Sequence, residues 1–138
     1  MIIMSVDLGL ARTGLAVCDK SESFVFPREV IHERNEDRLI EAITKKAKEE
    51  KAELLVVGLP KNMNGSLGSR AEECKNCAEK LEEKSGIKTV LFDERCTTMA
   101  AENYLNLSDT RGKKRKQVID AVAAVIILED FIRLRKIK

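Results

Sequence analysis

The chain predicts a mixed α/β domain in which three antiparallel strands precede two parallel ones and helices cover both faces of a five-stranded sheet. Three observations carry this. Residues 2–7, 13–18 and 24–31 are β-type runs with no room for a crossover helix between them, so they form an antiparallel meander. From Asn35 onward the hydrophobic period alternates between helix and strand, the pattern of parallel strands joined by helices. The chain then closes on a long, nearly all-round apolar helix, 117–132. With 138 residues and no internal repeat or linker, residues 1–138 read as one domain able to build its own core.

The first strand turns through Leu8 to Arg12, between Gly9 and Gly14, into the second. Pro27 interrupts the third run, which marks an edge strand or a bulge. Asn35 is placed to cap a helix whose Leu39, Ile43 and Ala47 recur at steps of four. Glu53 to Gly58 is a continuous apolar strand of the kind buried on both faces. A loop follows from Leu59 to Gly68, with Asn64-Gly65 as its turn signal. Ser69 and Glu72 form a capping box ahead of the stripe Ala71, Cys74, Ala78 and Leu81, and Gly86 ends that helix. Ile87 to Phe92 reads as a second buried strand, and Thr97 or Thr98 caps a short helix through Leu105. The polar, basic segment 106–116 reads as a mobile loop before the last helix.

Composition narrows the function. Apolar residues at 43% and charged residues at 35% describe an ordered globular protein. The longest apolar run, Ala121 to Leu128, falls well short of the ~18 residues of a membrane span. The first apolar stretch lacks a basic flank and meets Asp7 early, so export is not expected. Four cysteines in such a chain read as reduced thiols of a cytoplasmic protein. The net charge of +2 divides unevenly: residues 1–110 carry −4 and residues 111–138 carry +6, which favours a polyanionic partner for one end of the molecule.

Three acids stand where packing alone would not put them. Asp7 ends an apolar strand, Glu94 follows the strand 87–92, and Asp120 lies inside the apolar helix beside Ala121, Ala123 and Ala124. Each asks for a cation, a donor or water, because a buried unpaired carboxylate is costly. If the first strand is central and 53–58 and 87–92 run parallel to it, their carboxyl ends share the edge where open α/β sheets form sites. Asp7 and Glu94 then emerge together and the last helix brings Asp120 across them. Three convergent carboxylates are hard ligands for Mg²⁺ or Mn²⁺, one ion or two, and two such ions support phosphodiester hydrolysis.

Four blocks in order resemble the YqgF/RuvX-like family: VDLGLARTGLAVCD at 6–19, VVGLPKNMNGSLG at 56–68, FDERCTT at 92–98 and KKRKQVIDAVAAVIILEDFI at 113–132. The resemblance spans nearly the whole chain. It implies an RNase H-like fold related to Holliday-junction resolvases. It further implies a metal-dependent nuclease acting in 5′-end maturation of pre-16S rRNA, with resolution of DNA junctions as the alternative. The family's acidic positions fall on Asp7, Glu94 and Asp120, and its basic and hydroxyl positions on Arg12, Lys61, Arg95, Thr97 and Thr98. Asn64 stands where the family loop often has an acid, so that position is not counted as a ligand.

The neighbouring residues admit plainer readings. Arg12 reaches a phosphate near Asp7 or is a solvated hairpin charge; Lys61 and Asn62 hold substrate or belong to a connecting loop. Arg95 binds phosphate or pairs with Asp93, while Thr97 and Thr98 cap a helix whose N-terminus can itself receive phosphate. Lys113, Lys114, Arg115 and Lys116 form a basic run, and Lys116 shares a helical face with Asp120 if the helix reaches that far. Tryptophan is absent and aromatics are few, which favours recognition of backbone and shape over stacked bases, in structured RNA or branched DNA. No membrane contact is expected, and the chain is expected to be a monomer or a weak homodimer.

Cys74 and Cys77 form a CxxC, but Cys74 belongs to the buried stripe; a zinc site adding Cys18 and Cys96 would need irregular spacing. His32 reads as a surface residue. Two rivals remain. Asp-Leu-Gly followed by Thr13-Gly14 resembles the phosphate hairpin of actin-like and sugar-kinase-like phosphotransferases, which need two such domains. A non-catalytic RNA-binding assembly factor would keep the basic patch without using the acids as a group.

Overall fold

The computed structural model describes residues 1–9, 11–59, 69–93 and 112–137, and of residues 59, 69–71, 93, 112–121, 136 and 137 the backbone alone. Its strands are β1 (Ile3–Leu8), β2 (Arg12–Cys18), β3 (Val25–His32), β4 (Leu54–Leu59) and β5 (Thr89–Asp93), and its helices α1 (Glu36–Glu49), α2 (Ser69–Ser85) and α3 (Gly112–Ile137). The sheet order is β3-β2-β1-β4-β5, so β1 is central. β1 and β2 pair antiparallel, as do β2 and β3, while β4 joins β1 and β5 joins β4 in parallel. The order, the directions and the central first strand agree with the sequence reading.

Local chemistry explains the elements. Asn35 caps α1, its side chain accepting the Arg38 N–H at 3.0 Å, and Leu39, Ile43 and Ala47 are buried on the face the period assigns them. Gly86 takes φ +73° after α2 and donates to the Glu82 carbonyl at 2.9 Å, a left-handed stop that favours glycine. β3 is an edge strand and carries one extra residue against β2, since Gly14 faces Val30 while Ala16 faces Pro27. Proline is tolerated there because an edge needs fewer donors.

Strand alternation divides the core in two. Met4, Val6, Leu15, Leu55 and Val57 pack with Leu39, Ile40 and Ile43 of α1 and Ala78 and Leu81 of α2. Ile3, Ala16, Cys18, Leu54 and Val56 pack with Ala124, Ile127, Leu128 and Ile132 of α3. Helices therefore cover both faces, and β4 is buried on each.

Two expectations change. β5 is not a buried strand: among the described strands it is the other edge of the sheet, with Leu91 38% exposed. The segment 112–116 is not loop, since α3 begins at Gly112 and runs to Ile137. Its straight-chain lysines and arginine are good helix formers that extend the apolar helix at its N-terminus. Of the expected loop Leu59 to Gly68, Leu59 still belongs to β4, while 60–68, the expected short helix from Thr97 or Thr98 to Leu105 and residues 106–111 lie outside the described residues.

Candidate active site

Asp7 stands one residue short of the end of β1, half-buried and opposite Gly14 of β2. Side chains alternate along a strand, so Asp7 shares the face of Ile3 and Ser5, the face α3 covers. Gly9 makes the turn beyond it, where a Cβ would overlap the Arg12 carbonyl oxygen. That close approach returns the chain at once into β2, with half-buried Arg12 as its first residue.

Two anchors fix how α3 lies. The Ser5 hydroxyl donates to the Ala124 carbonyl at 2.6 Å, and Arg135 pairs with Glu22 at 2.8 Å in the turn after β2. The first is at mid-strand and the second at the amino-end edge of β1, so α3 runs antiparallel to β1. Helix position 120 lies four residues before Ala124, about 6 Å further along the axis. Asp7 lies two residues beyond Ser5, about 7 Å further in the same direction. Position 120 therefore lies one turn of α3 from the Ser5 contact, toward the end of β1 that carries Asp7.

β5 meets β4 in parallel through Leu59 and Asp93, so β5 ends at the carboxyl edge that also carries Asp7. Glu94 itself, with Arg95, Thr97, Thr98, Lys61 and Asn62, lies outside the described residues. Lys113, Lys114 and Lys116 occupy the first turns of α3, their side chains outside the description. The condition for Lys116 and Asp120 to share a helical face, a helix reaching residue 116, is met. Among the described side chains no three acids, histidines or cysteines gather into a group.

Among the described thiols, Cys18 and Cys77 lie apart. Cys18 is buried under α3, while Cys77 is buried on the opposite face of the sheet with α2. Burial pushes the Cys18 thiol above its usual range. His32 is exposed at the end of β3. Ser5, fully buried, escaped the sequence reading; its signal was a lone hydroxyl inside an apolar strand.

A central first strand with an acid near its end, inside a sheet of this order, is the RNase H-like arrangement. The fold is shared with RuvC of Thermus thermophilus in complex with Holliday junction substrate, at TM-score 0.63 and 13% identity, covering 99% of this chain and 96% of that one. It is shared equally with the fowlpox virus resolvase in complex with Holliday junction DNA, at TM-score 0.63 and 10% identity, covering 98% and 99%. A profile of the RuvX family, described as Holliday junction resolvase, matches residues 1–134, and the chain belongs to that family. A relative from Bacillus cytotoxicus, named "Putative pre-16S rRNA nuclease", is 41% identical over 135 residues, 96% of this chain and 98% of that one. The chain is accordingly a nuclease. Among the described residues no helix is long and apolar enough to cross a membrane.

Proposed function

We propose that the chain is a divalent-metal-dependent endonuclease that hydrolyses structured RNA in 5′-end maturation of pre-16S rRNA, with Asp7, Glu94 and Asp120 as its metal ligands and catalytic acids. The observation that carries this is the Ser5–Ala124 hydrogen bond, which docks α3 on the face of β1 that also carries Asp7. Carboxylates suit Mg²⁺ or Mn²⁺, and Gly14 opposite Asp7 contributes no side chain to compete for the space. One or two bound ions would supply an activated water and charge stabilisation at the leaving oxygen. Hydrolysis adds water oxygen to phosphorus, breaks one P–O bond and leaves the proton on the departing oxygen.

In this reading Arg12, Lys61, Asn62 and Arg95 hold the phosphate backbone, and Thr97 and Thr98 offer it a helix N-terminus. Lys113, Lys114 and Lys116 extend the cationic surface along the start of α3. RNA is favoured as substrate by the names of the 41–42% identical relatives. The junction-bound neighbours, which share only fold, support branched DNA as the second reading. The proposed compartment is the cytoplasm, in keeping with the reduced thiols expected from the sequence.

The test is cleavage of precursor rRNA ends against four-way junctions in Mg²⁺ and in Mn²⁺. Cleavage of the RNA that a chelator stops is the expected result. Cleavage of junctions alone transfers the protein to the second reading. Binding without cleavage of either would leave an assembly factor.

A further inference from the structure

We infer that Ser5 is a positioning residue: its hydroxyl sets the axial register of α3 on β1, and that register fixes how Asp7 stands to helix position 120. The inference rests on the acid-site reading above and adds a residue that neither charge nor motif spacing marks.

Ser5 is fully buried, with Ala16 and Val56 beside it in the neighbouring strands. A hydroxyl there is unfavourable unless bonded. Its partner is the Ala124 carbonyl at 2.6 Å, at the short end of the range for O–H···O bonds. So short a side chain reaches a helix carbonyl only where the helix backbone comes close. Buried Ala123 and Ala124 on the helix and Ala16 on the sheet permit that approach.

The sheet also tapers toward the acid. Ile3 and Cys18 form the larger pair at the amino end of β1, Ser5 and Ala16 a smaller one, and beyond them Asp7 faces a glycine. The apolar contacts of Ile127, Leu128 and Ile132 hold α3 down on the sheet. Such contacts spread the choice of axial position over many small terms, whereas the Ser5 bond is directional and favours one register. Metal coordination tolerates shifts of only about 0.2 Å in ligand distance, so a slip far smaller than one helical step of about 1.5 Å is enough to matter.

A hydroxyl that merely satisfied a buried carbonyl would affect stability alone. The full-length chain and its Ser5→Ala variant are therefore titrated with Mn²⁺ alone, free Mn²⁺ being read by electron paramagnetic resonance. Thermal unfolding and amide hydrogen exchange along α3 are measured on the same samples. Ser5→Ala is expected to bind Mn²⁺ about tenfold more weakly, the low end of the effect of an outer-shell partner. Exchange is expected to quicken over the first half of α3 and to stay unchanged from Ile127 onward. Ile132→Val, which loosens the same helix at its far end, is expected to keep the parental Mn²⁺ affinity. A Ser5→Ala protein that melts lower but binds Mn²⁺ as the parent does overturns the inference. If Ser5→Ala does not fold, Ser5→Cys, similar in size with a longer and weaker bond, is read in the same titration, and parental affinity there overturns it equally. Asp7→Asn separates the two failures. Loss of Mn²⁺ in Asp7→Asn with parental binding in Ser5→Ala removes the Ser5 role alone. Parental binding in Asp7→Asn removes the acid site and the Ser5 role with it.

Discussion

The two faces of the sheet are built on different terms. Under α1 and α2 the sheet presents Met4, Val6, Leu15, Leu55 and Val57, a continuous apolar layer met by Leu39, Ile40, Ile43, Ala78 and Leu81. Under α3 it presents Ile3, Ala16, Cys18, Leu54 and Val56 around the buried hydroxyl of Ser5, and Asp7 follows on the same face toward the carboxyl edge. The first face has large side chains and two helices. The second mixes Ile3, Leu54 and Val56 with the smaller Ser5, Ala16 and Cys18, and among the described helices α3 alone covers it. One face is made for cohesion, the other for holding a polar edge at a set distance, and the two tasks ask for different side chains.

The largest expected effect lies on the α3 face. Asp7→Asn should lower cleavage at saturating Mg²⁺ by more than ~10²-fold, the upper end of what an outer-shell partner costs. Its thermal unfolding should stay near the parent's, since Asp7 is only half-buried. Cleavage within tenfold of the parent would break the division of labour. On the opposite face, Leu81→Ala should destabilise by about 2–5 kcal/mol in urea titrations, because the site is fully buried. Cleavage per folded molecule should be unchanged there; a parallel loss of activity would show that both faces serve the site.

A smaller effect concerns the start of α3. Lys114→Ala combined with Lys116→Ala should weaken binding to structured RNA and reduce the slope of log affinity against log salt by up to about 2, one unit per lost phosphate contact. An unchanged slope would take the patch off the substrate path.

The smallest effect is at the far end of α3. Asp19 accepts from the Ser21 hydroxyl at 2.6 Å and from the Ser23 and Phe24 N–H groups at 2.8 and 3.0 Å. The Ser21 bond, followed by the backbone ones, holds its carboxyl down to about 2. A carboxyl depressed on folding stabilises the folded chain above its ordinary range and loses that contribution as pH falls toward 2. The turn it closes carries Glu22, the partner of Arg135, so acid should loosen the far anchor of α3 before the sheet. Nuclear magnetic resonance titration of Asp19 with amide exchange at Arg135 checks both; an ordinary Asp19 midpoint would detach the turn from the helix.

How much was legible depended on the range of the interaction. The cap at Asn35, the stop at Gly86 and the edge status of β3 rest on one residue or a few neighbours, and each could be read directly. The start of α3 was misjudged because a cationic run is polar in composition yet helix-forming in propensity, and composition hid the second property. The apolar run of β5 reads as buried, but exposure depends on which neighbours a strand has, and among the described strands β5 has only β4. For the site, the acids were legible as residues out of place, and Asp7 lies at the expected edge.

By itself the chain's order of residues determined the antiparallel meander, the alternation of helix and strand after it and which side chains are candidates, because these follow from loop lengths and hydrophobic period. Only the tertiary structure decided that Ser5 meets Ala124 across 119 positions of sequence, and so which turn of α3 lies toward Asp7. No local rule encodes such a register. It is the outcome of two surfaces settling against one another, and here a single short hydrogen bond marks where they stopped.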